Sequence, residues 1–389
     1  MIHTVDIRKE IRKEEYCRLK EIYDLLPVDN PKYRKNIKSR LYLPNDNSKL
    51  IKIEIFKYKP YKYYKYYIKA SFDLHRLSNH DNLQTLLEPD DIKAGMKKFN
   101  EIIEPVLGQD YLIDAWDISR VDFTLDIPFE MDDDNDIIQH YIDLLNKAFI
   151  SNYHNEHYKE SFYLKPSQRN IKSSSKLPTI NFYHKMKKLK NSVGFYEPKS
   201  EDYVLRLEVQ CTNAKYMLET LNGKNKKDDV FKGTTGYYTQ FLLADALYKL
   251  MLNSLQSIYD RILKANNLIG DFYTLNEAIN IINCHVGNDT KNDDPFTSNK
   301  KGCILTPTKA NNIKQMLREI SKEGSVEKYM ERKNKPSKRT IKEYFGILNE
   351  LNISPVLISD SESVEWKSSH LEGLHKKIDD VVCNYMYKN

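Results

Sequence analysis

Residues 118–127 read ISRVDFTLDI. Val121, Phe123, Leu125 and Ile127 alternate with Arg120, Asp122, Thr124 and Asp126, the period-two pattern of a strand with one apolar and one polar face. Two further stretches behave alike. TINFYHK (179–185) sets Asn181, Tyr183 and Lys185 on one side, and YVLRLEVQ (203–210) sets Arg206, Glu208 and Gln210 opposite Leu205, Leu207 and Val209. Three such strands predict an antiparallel β-sheet with one side covered by helices, an α+β fold.

Working outward, Ile51, Ile53 and Ile55 alternate with Lys52 and Glu54, so a strand is expected from 51. KYKPYKYYKYYIK (57–69) follows, with five Lys, six Tyr and Pro60 as a break or edge. Helical spacing appears at 92–107 and 136–149. The polar loop GKNKKDD (223–229) marks the expected domain boundary, leaving 1–225 with the sheet and 226–389 as a mostly helical C-terminal domain. In that second part helices are expected near 237–265, 308–322 and 338–352, the last opened by Ser337. GNDTKNDDPFTSNKKG (287–302) is linker-like, the basic turn ERKNKPSKRT (331–340) suits DNA contact, and ISPVLI (353–358) reads as a short strand.

Composition narrows the classes. A length of 389 residues predicts two or three domains. Lys+Arg exceeds Asp+Glu by 61 − 55 = 6, enough for a basic patch but not a polycationic tail. Twelve glycines and no G-x-x-x-x-G-K-[ST] segment argue against ATP hydrolysis and against any nucleotide cofactor. No apolar run reaches the roughly 18–20 residues of a membrane span, and the charged N-terminus is unlike a signal peptide. Five scattered cysteines without a C-x-x-C pair fit a reducing cytoplasm. The aromatic content is lopsided, with 28 Tyr against 14 Phe and 2 Trp.

The polar faces carry the chemistry. Arg120 with Asp122, and Arg206 with Glu208, are R-x-acid pairs whose members share one side of a strand. Carboxylates so placed are hard ligands suited to Mg²⁺ or Mn²⁺; the plain alternative is a surface salt-bridge ladder. Tyr183 is a candidate nucleophile. A phenol with an ordinary pKa near 10 needs activation, and Lys185, Arg120 and Arg206 are the candidate catalytic cations. Lys57, Lys59, Lys62, Lys65 and Lys69 with their interleaved tyrosines suit single-stranded nucleic acid, through phosphate contacts and base stacking; an edge strand kept soluble by lysines explains the run equally well. Lys187 and Lys188, in KMKKLK (185–190), form a second basic cluster. His80, His154 and His157 are available to a metal, but the H-x-H pair of many metal-dependent nickases is absent.

IKAS (68–71), NHDN (79–82), ISRVDFTLD (118–126), INFYHK (180–185) and VLRLEVQ (204–210) occur in an order and spacing that resembles the gene II replication initiators of filamentous phages. EYFGILNEL (343–351) is similar to a segment in their C-terminal region, so the resemblance extends in patches from about 65 to 355. It implies a rolling-circle initiator or relaxase type of catalytic domain, an antiparallel sheet with a metal site beside a nucleophilic tyrosine. The family's Y-x-K tyrosine falls on Tyr183, its R-x-D aspartate on Asp122 and its R-x-E glutamate on Glu208. A G-H-N segment falls on Asn79, His80 and Asp81, which retains the histidine as a metal ligand while its neighbours differ. Tyr163 is the rival nucleophile. The implied reaction is metal-dependent transesterification at a replication origin, giving a 5′-phosphotyrosyl link and a free 3′-OH. Origin DNA, a host helicase and a DNA polymerase are the implied partners, in a bacterial cytoplasm. A mobilisation relaxase, a transposase and a non-catalytic DNA-binding protein are the alternatives.

Overall fold

The computed structural model describes residues 2–22, 26–27, 39–43, 50–58, 63–78, 88–131, 136–150, 153–166, 177–192, 203–212, 217, 244–264, 270–287 and 305–386. The ISRVDFTLDI stretch forms a strand, Asp117–Pro128, and the two kindred stretches form strands Thr179–His184 and Val204–Cys211. In chain order the strands are β1 (Ile2–Ile11), β2 (Leu26–Pro27), β3 (Ser39–Leu43), β4 (Ile51–Tyr58), β5 (Lys65–Asp73), β6 (Asp117–Pro128), β7 (Tyr153–Tyr158), β8 (Ser161–Pro166), β9 (Thr179–His184) and β10 (Val204–Cys211). They make one large sheet in the order β2-β3-β4-β5-β1-β6-β10-β9-β8-β7. With twelve α-helices among the described residues, the protein is mixed α+β with a large antiparallel sheet. No helix among the described residues is long and apolar enough to cross a membrane.

The chain divides into two compact units, Met1–Leu125 with Gln168–Ile180 and Glu208–Leu255, and Asp126–Ser167 with Asn181–Leu207 and Gln256–Asn389. The boundary expected at 223–229 lies outside the described residues.

In the first unit β5 presents Ile68, Ala70 and Phe72 to the core. Helix Pro89–Leu107 sets Phe99 against Phe72, with ring centroids 5.0 Å apart, and helix Lys13–Ile22 sets Tyr16 against Tyr66 at 5.0 Å. Gly95 permits the close approach of the longer helix to the turn at Leu74–Leu77, since a Cβ there would lie 2.9 Å from Leu74 Cδ1. The opposite side of the same strands is a charge ladder in which half-exposed lysines cover carboxylates, with Lys69 on the buried Asp6 at 2.6 Å, Lys65 on Glu10 at 3.0 Å and Lys52 on the buried Glu54 at 3.3 Å. An edge position for the Lys/Tyr run is thereby corrected. β5 lies between β4 and β1, so its lysines neutralise neighbouring carboxylates instead of guarding an open edge. β1 is the strand the sequence conceals, because two register shifts against β6, between Ile2 and Val5 and between Asp6 and Ile7, break the alternation in IHTVDIRKEI.

In the second unit β7 and β8 form a hairpin, paired from Tyr153–Pro166 to Tyr158–Ser161. Helix Ile137–Leu145 is its apolar hub. Tyr141 donates to the Glu372 carbonyl at 2.8 Å, His140 stacks on Trp366 at 4.1 Å, and the Val326 amide donates to the Lys147 carbonyl at 2.9 Å. Helices Pro307–Glu323 and Lys338–Glu350 occur where their periodicity places them, and the Ser337 hydroxyl caps the second by accepting from the Thr340 amide. ISPVLI is not a continuous strand. Ile353 and Ile358 each make one isolated parallel bridge, to Asp271 and Thr274, because Pro355 has no N–H to extend a ladder between them.

Candidate active site

The polar faces of β6, β9 and β10 are not surface ladders. Asp122 and Thr124 are each 1% exposed, Asn181 0%, Tyr183 5% and Arg206 3%. Charged side chains are almost never fully buried without partners, and each unit compensates its buried charges in its own way.

In the first unit Arg120 forks onto Asp122, donating Nε to Oδ1 at 2.7 Å and Nη2 to Oδ2. Burial nonetheless pushes the Asp122 carboxyl up to about 7. The Arg120 fork opposes this, while the nearby carboxylates of Glu208 and Asp6 reinforce it. Glu208 accepts from Gln210 Nε2 at 2.6 Å. Asp6, which pairs in register with Arg120 and binds Lys69, therefore joins Asp122 and Glu208 in one electrostatic neighbourhood. Sequence reasoning missed Asp6, because the register shifts of β1 conceal the strand that carries it. Asp122 and Glu208 fit a hard divalent cation as oxygen donors. Among the described residues no group of three or more His, Cys, Asp or Glu is arranged to hold a metal ion. His80 lies outside the described residues.

In the second unit Arg206 does not pair with Glu208. Its guanidinium forks onto Asp126, Nε to Oδ1 at 2.5 Å and Nη2 to Oδ2 at 2.7 Å, with both side chains almost fully buried. Burial disfavours the charged guanidinium, but Asp126 and then the Tyr183 hydroxyl beside it raise its pKa above the ordinary arginine value. Lys185 Nζ stands 3.9 Å from Asp126 Oδ2 and is 3% exposed. Lys188 Nζ lies over the Tyr183 ring, 3.7 Å from its centroid. Two buried cations, Arg206 and Lys185, thus face the Asp126 carboxylate, with the Tyr183 hydroxyl beside the first. β9 ends at His184, so Lys185 opens the helix Lys185–Ser192 and reaches Asp126 from a helix, not from the strand expected to carry it.

The helix continues the network. Lys187 Nζ binds Asp136 at 2.6 Å and donates to Gln139 Oε1 at 2.9 Å, which ties it to the start of helix Ile137–Leu145. His184 Nε2 approaches the same Asp136 at 3.3 Å, at ion-pair distance but off the line of a hydrogen bond. Burial alone would raise the Asp136 carboxyl; His184 and Lys187 outweigh it and hold the group well below the usual carboxylate range.

The rival nucleophile lies on the strand next to β9. Tyr163 is half-buried on β8, its ring 5.4 Å from that of Tyr158, and lines an open depression with Glu156, Lys159 and Lys165. Lys57 stands over the Tyr64 ring at 5.1 Å, and Tyr63 and Tyr64 are 61% and 48% exposed. Lys59 and Lys62 lie outside the described residues. A scan of protein-family models and a search of curated proteins find no match to the chain.

Proposed function

We propose that the protein is a DNA strand transferase of the rolling-circle initiator type, built on a relaxase-like sheet. It nicks one strand at a replication origin through Tyr183. The observation that carries this reading is the Tyr183 phenol beside the Arg206 guanidinium, with Lys185 on the shared Asp126 and Lys188 over the ring. A phenol oxygen attacking phosphorus gains negative charge as it sheds its proton, and the phosphoryl oxygens gain it in the transition state. The buried Arg206 and Lys185 cations would stabilise that charge more than water does. A new bond forms between the Tyr183 oxygen and phosphorus, and the bond from phosphorus to the 3′ oxygen breaks. The phenol proton is balanced by the one taken up at the 3′ oxygen, leaving a 5′-phosphotyrosyl link and a 3′-OH primer.

Asp122 and Glu208 are the residues that would hold Mg²⁺ or Mn²⁺, with His80 as a further ligand. A bound divalent cation supplies charge neutralisation at the phosphate. Arg120 orients Asp122 through its fork. The partners in this reading are origin DNA, a host helicase and a DNA polymerase in a bacterial cytoplasm, without nucleotide cofactor. A mobilisation relaxase or transposase would use the same residues on a different DNA site.

Burial of Tyr183 favours a second reading, a DNA-binding protein without catalysis, since a DNA strand reaches the phenol only when the polar face opens. Incubation with supercoiled origin plasmid and Mg²⁺ or Mn²⁺ separates the two. The transferase gives relaxed circles with protein on the 5′ end, whereas binding without relaxation at any metal concentration removes the catalytic reading.

A further inference from the structure

We propose that the exposed face of helix Lys338–Glu350 is a docking surface for duplex DNA, with Lys338, Arg339 and Lys342 on the phosphates and Gly346 letting the duplex come close to the helix backbone. The inference rests on DNA being the ligand in the proposed function and not on the strand-transfer chemistry. Residues 332–342 carry six cations and no carboxylate, a local excess as large as the +6 of the whole chain. Two of the six are held within the fold. Arg332 pairs with Glu319 at 3.2 Å and Glu323 at 3.6 Å, and Lys335 donates to the Arg332 carbonyl at 2.5 Å. Lys333, Lys338, Arg339 and Lys342 are exposed and have no ion-pair partner among the described residues. Glu343, the next carboxylate along the chain, is taken by Lys309 at 2.7 Å.

The helix itself is arranged for a partner that is anionic and close. Ile341, Tyr344, Ile347 and Leu348 form its buried side, and helical spacing places Lys338, Arg339, Lys342 and Gly346 together on the other. Its first turn holds no acidic residue, and cations beside the positive end of a helix dipole are unfavourable unless an anion joins them. Gly346 is a second, independent sign. A glycine inside a helix is unfavourable against alanine, and a Cβ there would meet nothing within 4 Å, so no packing among the described residues requires it. Close approach of an outside backbone does. A single strand calls for exposed rings that stack its bases, and a membrane for exposed apolar side chains; residues 326–350 expose no large apolar side chain. An α-helix fits the major groove of a duplex, where residues at its N-terminal end meet phosphates and base edges.

The test is fluorescence anisotropy of the full-length chain on a labelled duplex of about 30 base pairs, across a salt series. The triple variant Lys338→Gln, Arg339→Gln, Lys342→Gln should bind about tenfold more weakly or worse, and the slope of log affinity against log salt should fall by about 2–3, roughly 0.9 per lost phosphate contact. A control triple, Lys93→Gln, Lys97→Gln, Lys98→Gln, removes the same charge from a helix where Lys93 and Lys98 already face Asp90 and Glu101, and should change the slope by less than about 1. Gly346→Gln should raise Tm by about 1–3 °C through helix propensity. It should nonetheless weaken duplex binding about fivefold or more by blocking close approach. Equal losses in both triples would overturn the proposal, as would wild-type duplex affinity in Gly346→Gln. If the first triple keeps the duplex but loses a labelled single strand or phosphatidylserine vesicles, the surface serves one of those partners and the proposal falls. Plasmid nicking is scored in parallel. If wild type never nicks but the first triple loses the duplex, the proposed reaction fails while the docking surface stands.

Discussion

Arg206 and Asp126 form a two-point ion pair, 2.5 and 2.7 Å, between side chains that are almost fully buried. The pair anchors the guanidinium beside the Tyr183 phenol. Removing a partner that leaves the other charge buried and uncompensated costs about 3–5 kcal/mol. Asp126→Leu should destabilise by that amount in urea unfolding, Arg206→Leu by less because Lys185 still faces Asp126, and the double variant should recover only the part that belongs to the Arg206–Asp126 pair. Additive losses in the double variant would show that the two side chains act independently.

Tyr183→Phe should abolish the covalent protein–DNA link while leaving affinity for the origin duplex within about threefold, because the ring and the Lys188 contact remain. Tyr163→Phe, altered on the neighbouring strand β8, where the ring packs on Tyr158, should retain the link. Denaturing gels of labelled origin DNA read both, and the opposite pattern would transfer the nucleophile to Tyr163.

Asp122 has a folded-state pKa near 7 against an ordinary 3.8. The folded protein therefore binds the proton more tightly, and stability falls as pH rises from about 4 to 7, then levels off. Asp122→Asn keeps the shape and cannot ionise. Its stability relative to wild type should grow across that window by about 2–4 kcal/mol in chelator, measured by urea unfolding at pH 4.5 and 8. Mg²⁺ or Mn²⁺ should narrow the difference at pH 8 by stabilising wild type alone. A constant difference across pH would remove Asp122 from the strained carboxylate neighbourhood.

Asp136 is shifted the other way, held low by His184 and Lys187 against the effect of burial. Its contribution is present above the unfolded pKa near 4 and is lost as pH falls through the lower folded value. Asp136→Asn should cost about 1–2 kcal/mol at pH 7, a discounted figure for a carboxylate that is one-third exposed. The cost should shrink below about pH 3. Persistence of the full difference at pH 2 would assign it to packing or capping.

The exposed rings of Tyr63 and Tyr64 predict stacking with single-stranded DNA. Replacing both with Ala should weaken oligonucleotide binding at least tenfold without changing the salt slope. Lys57→Ala should instead reduce the slope by about 0.7. Fluorescence anisotropy across a salt series distinguishes them, and an unchanged affinity in the tyrosine variant removes the strip from the DNA path.

Several elements were legible in the residues because their cues are local. β6, β9 and β10 announce themselves by alternation, helix Lys338–Glu350 by its Ser337 cap, and helix Pro89–Leu107 by its apolar period. β1 was not legible, since its register shifts interrupt the period and its charges imitate a solvated terminus. ISPVLI looked like a strand because β-branched residues flank Pro355, whose missing N–H is decisive only when a partner strand must be supplied.

The candidate site divides in the same way. The shared strand face of Arg120 with Asp122 and of Arg206 with Glu208 was legible from spacing, and Tyr183 was singled out as a nucleophile by the resemblance. Which charge meets which was not. Arg206 binds Asp126 instead of the adjacent Glu208, Asp6 arrives from a strand more than a hundred residues away in sequence, and Asn181 has no hydrogen-bond partner among the described residues. Strand periodicity is a property of consecutive residues, so the sequence alone determined which side chains point together. Ion pairing and desolvation depend on what other strands bring within a few ångströms, and that the tertiary structure alone decided.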